Sequence, residues 1–238
     1  MYEVVCLGAS IVRGQVSFNF VELLSQRMEK DGFGFVNAGV PGDLAYNVLA
    51  RLDAVIARQP DYLVILVGTN DVTATLMPGM AKWSRLLTRR VPQTPSAEWY
   101  RDNMLQVVRL LKEKTPARIA LASIPILGED LTSLPNERVR AYNALLKEIT
   151  VQEQVAYLPV HEHQAEYLRA VQQTPGRPYQ AGVMLSIKLL VRHFLLRQSF
   201  GHISRKNGFL LVTDGIHMNR RGAAIIADEV ESFLRAGA

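Results

Sequence analysis

The chain predicts an α/β fold, a parallel sheet covered by helices on both faces. Two observations carry this reading. Apolar runs of strand length alternate with longer segments of helical period, and the helical segments start and stop at recognisable capping residues. The 238 residues, 48% hydrophobic and 21% charged, suit one globular domain over 1–238 with a full core.

The strand candidates are Glu3 to Leu7, Gly34 to Asn37, Tyr62 to Val67, Arg118 to Ser123 and Val155 to Pro159. After the second, Asp43 is placed to cap a helix through Val48, Leu52, Val55 and Ile56 that Pro60 stops. Ser96 is placed to cap the next, which carries Leu105, Val108 and Leu111 as far as Pro116. A further helix is expected from about Asn136 to Thr150, and Asn219 should cap the last, with Ile226, Val230 and Phe233 on one face.

Two regions break the alternation. Thr73 to Pro95 reads as a linker-like excursion with the basic residues Arg85, Arg89 and Arg90. The second, at about 161–210, is longer than an ordinary connection and reads as an elaborated insertion, the place for a lid or binding element. Its Met184, Leu185 and Leu189 are candidate walls of an acyl pocket, and they also suit a core or a subunit contact. Seven basic and no acidic residues lie between Tyr167 and Thr213, so the net charge of +5 belongs to this segment. That excess suits a solvated helix face; without a nucleic-acid motif it gives no reason to expect a nucleic-acid partner. An apolar helix with basic edges also admits contact with a membrane surface.

No stretch is long and apolar enough for the ~20 residues of a membrane-spanning helix, and Met1-Tyr2-Glu3 leads directly into an apolar run, so the expected location is cytoplasmic. Cys6, the single cysteine, reads as a small buried hydrophobe. His161-Glu162-His163, read as a strand end, offers two histidines to a metal but no third ligand at a telling spacing, so no metal or cofactor is assigned. His193 is read as a helix-face residue and His202 as a loop residue.

Four short motifs carry chemistry. Ser10, in Gly8-Ala9-Ser10, follows the first strand, where open α/β sheets bind ligands, and nearby glycines let the backbone aim both Oγ and N–H into the crevice. Asn70, in Gly68-Thr69-Asn70-Asp71, follows the most apolar strand and can donate its amide to a developing oxyanion, a contribution of roughly 3 to 4 kcal/mol where measured. Gly42, in Pro41-Gly42-Asp43, offers an unobstructed backbone N–H; Asp71 is a candidate wall of the substrate pocket. Asp214 and His217, in Asp214-Gly215-Ile216-His217, are spaced so that a carboxylate can hold imidazole Nδ1 and leave Nε2 for the serine proton. Each motif alone also reads as an ordinary turn or cap.

Together the four blocks resemble those of the SGNH hydrolases, also called GDSL esterases and lipases. Ser10, Gly42, Asn70 and His217 match the family's four block residues and Asp214 its triad acid, with likeness running from residue 3 to about 160 and from 211 to the end, the Arg51-Leu52 helix included. The resemblance implies a flavodoxin-like three-layer α/β/α sandwich with a five-stranded parallel sheet in order 2-1-3-4-5. It also implies a metal-independent serine esterase that cleaves carboxylic acyl esters of a small or lipid-like substrate through an acyl-enzyme. The same machinery serves an acyltransferase or a deacetylase acting on a saccharide or cell-envelope component. The departure from Gly-Asp-Ser at Ala9, with the basic insertion, motivates a rival of another class, a non-catalytic or membrane-surface binding module.

Overall fold

The computed structural model describes residues 1–76, 91–179, 195 and 197–237. Its centre is a five-stranded sheet in the order β2-β1-β3-β4-β5, every neighbouring pair parallel. The strands are β1 (Tyr2–Gly8), β2 (Phe33–Gly39), β3 (Tyr62–Leu66), β4 (Arg118–Ala122) and β5 (Ala156–Leu158). The architecture and strand order are those the sequence implies.

Alternation along the strands divides the core in two. Val4, Cys6, Val64 and Leu66 face one layer, which holds Phe20 and Leu24 of α2 (Phe20–Arg27) and Ile226 and Val230 of α10 (Arg220–Arg235). Val5, Leu7, Leu63 and Ile65 face the other, which holds Val48 of α3 (Ala45–Leu49), Met104 and Val108 of α6 (Ala97–Lys114) and Val139 and Leu146 of α7 (Leu134–Glu153). Strands buried on both faces read as continuous apolar runs, and that is why their positions were clear in the sequence. Cys6 lies within this packing; burial pushes its thiol up to about 12, as expected of an inert buried residue.

Several helix boundaries follow the capping chemistry. Ser96 Oγ accepts from Trp99 N–H at 3.2 Å, and Asn219 Oδ1 accepts from Arg221 and Gly222 N–H at 2.9 and 3.1 Å. Such a cap is worth about 1 kcal/mol. Asp43 does not cap. Its carboxylate turns to Arg51, Leu44 occupies the cap position instead, and the expected helix is two short pieces, α3 and α4 (Asp53–Ile56). The stretch from Thr73 begins as helix rather than linker, because α5 (Thr69–Leu76) continues through it; Arg85, Arg89 and Arg90 lie outside the described residues.

The late region opens and closes with helices, α8 (Val160–Val171) and α9 (Phe200–Lys206). His161, Glu162 and His163 therefore sit in the first turn of α8, not on a strand face: β5 ends at Leu158 and Pro159 turns the chain. On a helix, positions i and i+2 diverge. His161 is buried, whereas the exposed His163 pairs with Glu229 at 2.5 Å. His202 belongs to α9 rather than to a loop; Met184, Leu185, Leu189 and His193 lie outside the described residues. No helix among the described residues is long and apolar enough to cross a membrane.

Candidate active site

The site forms at the carboxyl edge of the sheet, where the strand order reverses between β1 and β3. β1 ends at Gly8, whose missing side chain is required: a Cβ there would lie 2.0 Å from the Leu66 carbonyl oxygen. Ser10 is the first residue of α1 (Ser10–Arg13), so its N–H belongs to the first turn, where helix donors have no partner within the helix. Ala9, at the cap position, has no side-chain acceptor to offer this turn.

Ser10 Oγ lies 3.0 Å from His217 Nε2, and His217 Nδ1 lies 2.9 Å from Asp214 Oδ2. Asp214 Oδ1 accepts from the N–H groups of Ile216 and His217 at 3.0 and 2.9 Å, so the carboxylate shapes its own loop while it holds the ring. Burial pushes the Asp214 carboxyl up, but the charge and hydrogen bonds of His217, with the Ile216 N–H, outweigh it and hold the pKa at about 2. The carboxylate stays charged well below neutral pH.

Two buried polar groups fix this loop. Glu129 accepts from the N–H groups of Leu210, Leu211 and Val212 at 2.6 to 3.1 Å, just upstream of Asp214. Ser17 Oγ accepts from Met218 N–H at 2.9 Å and donates to the Met218 carbonyl, joining the segment after α1 to the residue after His217. The serine and histidine loops are thus held in register from both sides.

The opposite wall comes from the β2 and β3 loops. Asn70, in the first turn of α5, donates through Nδ2 to the Asp43 carbonyl at 2.9 Å. An amide nitrogen carries two protons, so one remains for a ligand. Gly42 has φ of +84°, a left-handed conformation that glycine adopts without strain. Asp43 is pinned from its other side by Arg51, whose Nε donates to its Oδ2 at 2.7 Å and whose Nη2 donates to the carbonyls of Gly8 and Ala38 at 3.0 Å each. One guanidinium thereby ties the ends of β1 and β2 to the Gly42 turn.

Asp71 packs at the start of α3. It is 1% exposed, and both its oxygens lie 3.2 Å from Ala45 N–H at the start of α3. Burial, with a smaller contribution from the neighbouring Asp43 charge, pushes its pKa up to about 7. Ser10, Asp214 and His217 are therefore brought together, and Asn70 and Gly42 flank the same loop at Asp43. Arg51, Glu129 and Ser17 had no assigned part in the sequence reading; Arg51 stood out only within the stretch of family likeness.

A serine, an imidazole and a buried carboxylate stand in series at a parallel sheet edge, the residue types that serine hydrolases use. The chain belongs to the GDSL-like Lipase/Acylhydrolase family, whose model matches residues 6–185, and so to the carboxylic ester hydrolases. That match covers Ser10, Gly42 and Asn70 but stops short of Asp214 and His217, whose pairing rests on the geometry.

Solved structures share the fold at low identity. The acetylxylan esterase Axe2 from Geobacillus stearothermophilus has a TM-score of 0.68 at 18% identity, over 98% of this chain and 93% of its own. The acetyl xylan esterase AlAXEase gives 0.65 at 16%, over 98% and 99%. A lipase/acylhydrolase from Enterococcus faecalis gives 0.63 at 17%, over 99% and 96%. No curated sequence matches the chain.

Proposed function

We propose that the protein is a serine esterase that cleaves carboxylic acyl esters through a covalent acyl-enzyme. The observation that carries this reading is the continuous Ser10–His217–Asp214 contact, at 3.0 and 2.9 Å. Ser10 Oγ attacks the ester carbonyl carbon while His217 Nε2 takes its proton. The resulting imidazolium is stabilised by Asp214, and the oxyanion is held by the N–H groups of Ser10 and Gly42 and the Asn70 amide. As the tetrahedral intermediate collapses, His217 returns the proton to the leaving alcohol. Water, deprotonated by the same ring, then releases the acid and frees Ser10. Each of these roles falls to a residue of the chain.

A second reading concerns the substrate. Two of the structures sharing the fold are named acetyl xylan esterases, which favours a short acyl group on a saccharide over a long lipid chain. Activity on acetylated xylooligosaccharides, set against esters of increasing acyl length, separates the two. Added alcohol acceptors report acyl transfer if a transferred ester appears in place of free acid.

A fluorophosphonate probe should label the wild-type protein at Ser10 and leave Ser10→Ala unlabelled. Ser10→Ala should lose several orders of magnitude in turnover on a short-chain aryl ester. A wild-type protein that resists the probe and binds anionic vesicles in a salt-sensitive manner would instead be a binding module.

A further inference from the structure

We propose a second ligand site, independent of the esterase reading: a cleft between α7 and α8 that binds a small oxyanion through Arg140 and Arg169. The cleft encloses about 300 Å³. Arg140, Asn143, Ala144 and Lys147 line one side at the spacing of a single helix face, and His161, Ala165 and Arg169 line the other, each four residues from the last. Nothing in the ester chemistry uses these groups.

The charge balance inside the cleft selects an anion. Among the described residues that line it the only carboxylate, Glu162, is already satisfied: Oε1 takes Lys147 at 2.7 Å and the Tyr157 hydroxyl at 2.9 Å, and Oε2 takes the Ser123 hydroxyl at 3.1 Å. Arg140 spends one N–H on the Leu131 carbonyl at 2.7 Å. Among the described residues neither Arg140 nor Arg169 has an ion pair. Two guanidiniums without counter-charges, on facing helices, present the planar fork that matches a phosphate or carboxylate.

His161 supplies an independent observation. Its side chain lines the cleft in a residue only 5% exposed, and its Nδ1 is buried with no hydrogen-bond partner. Buried polar atoms are almost always paired, so an orphan asks for a reason. Burial, opposed by Glu162 and reinforced by Arg140, Arg169 and Lys147, lowers its pKa to about 4. The three cations are therefore felt at one ring, which stays neutral at pH 7.

The test is calorimetric titration of the full chain with inorganic phosphate and, separately, with acetate, at ionic strength held constant by sodium chloride. Saturable binding of either is expected, with a shift of the His161 ring resonances. Neutralising both arginines, in Arg140→Gln/Arg169→Gln, should weaken it by roughly tenfold or more. Arg169→Gln alone, at an exposed position, guards against misfolding of the double variant and should show an intermediate loss. Phosphate binding alone would identify a phosphoryl ligand, and acetate binding with the same arginine dependence a carboxylate. Absence of saturable binding by both anions, or binding indifferent to the two arginines, overturns the proposal.

Discussion

Replacing Arg51 by methionine should damage activity more than its distance from the reacting atoms suggests. The guanidinium makes one charged contact, to Asp43 at 2.7 Å, and two hydrogen bonds of 3.0 Å to the Gly8 and Ala38 carbonyls. Removing one partner of a buried pair costs about 3–5 kcal/mol. The Arg51 side chain is 27% exposed, so water reaches the vacated space and about 2–3 kcal/mol is a better figure. For a chain of this length that is a fall in Tm of roughly 5–10 °C. The loss should depend on pH. Burial raises the Asp43 pKa and Arg51 opposes it; without Arg51 the folded-state pKa rises further above the unfolded value. Stability is then fully present below the unfolded pKa and lost as pH rises through the folded one, so Arg51→Met should be worse at pH 8 than at about pH 4, the unfolded value. The turn that carries Gly42 N–H and receives Asn70 would loosen, and kcat on a chromogenic ester should fall by roughly 10- to 100-fold, short of deleting an oxyanion donor outright. Arg51→Lys keeps the charge without the fork and should lie between. Steady-state kinetics with thermal melts at both pH values decide the matter. A variant that melts early but keeps the wild-type kcat would show that Arg51 holds the fold and not the site.

Asp214→Asn should retain the fold and lose about 10⁴-fold in kcat, because an amide favours the wrong imidazole tautomer and cannot stabilise the imidazolium. Its lowered pKa also means that its contribution to stability is present above the unfolded value and lost only as pH falls towards 2, so Asn should remove the corresponding acid limb from a melting profile. Asp71→Asn keeps an acceptor for Ala45 N–H while removing a buried charge. With the Asp71 pKa raised to about 7 against an unfolded value of about 4, the carboxyl begins to cost stability above about pH 4 and does so fully above about pH 7; the variant should out-melt wild type by several degrees at pH 8 and lose the advantage only near pH 4. Equal melting at both pH values would show that the buried carboxylate carries no such cost.

What the sequence revealed divides by the range of the interaction. Strand positions were readable because burial on both faces writes an apolar run, and the caps Ser96 and Asn219 because their partners lie two or three residues away. Asp214 and His217 belong to this class, three residues apart. At Asp43 a local rule, an aspartate ahead of a helix, meets a competitor eight residues on in Arg51 and loses to it. His161 and His163 were misplaced because β5 ends early and a short strand gives no period to read. Glu129 reaches across 81 residues to Leu210 and Ser17 across 201 to Met218, and no spacing rule connects such positions.

These long-range contacts also bear on the departure at Ala9. Where the resemblance places an aspartate this chain has Ala9, which caps α1 without a side-chain acceptor. The loop is nonetheless held on three sides. Arg51 takes the Gly8 carbonyl, packing against the Leu66 carbonyl leaves no room for a Cβ at Gly8, and Ser17 fastens the far end of the segment to Met218. Because Ser17 and Glu129 anchor the two ends of the loop bearing Asp214 and His217, the distance from Ser10 Oγ to His217 Nε2 is set by backbone hydrogen bonds to buried side chains. The position of the serine loop therefore rests on the strands on one side and on Arg51 and Ser17 on the other.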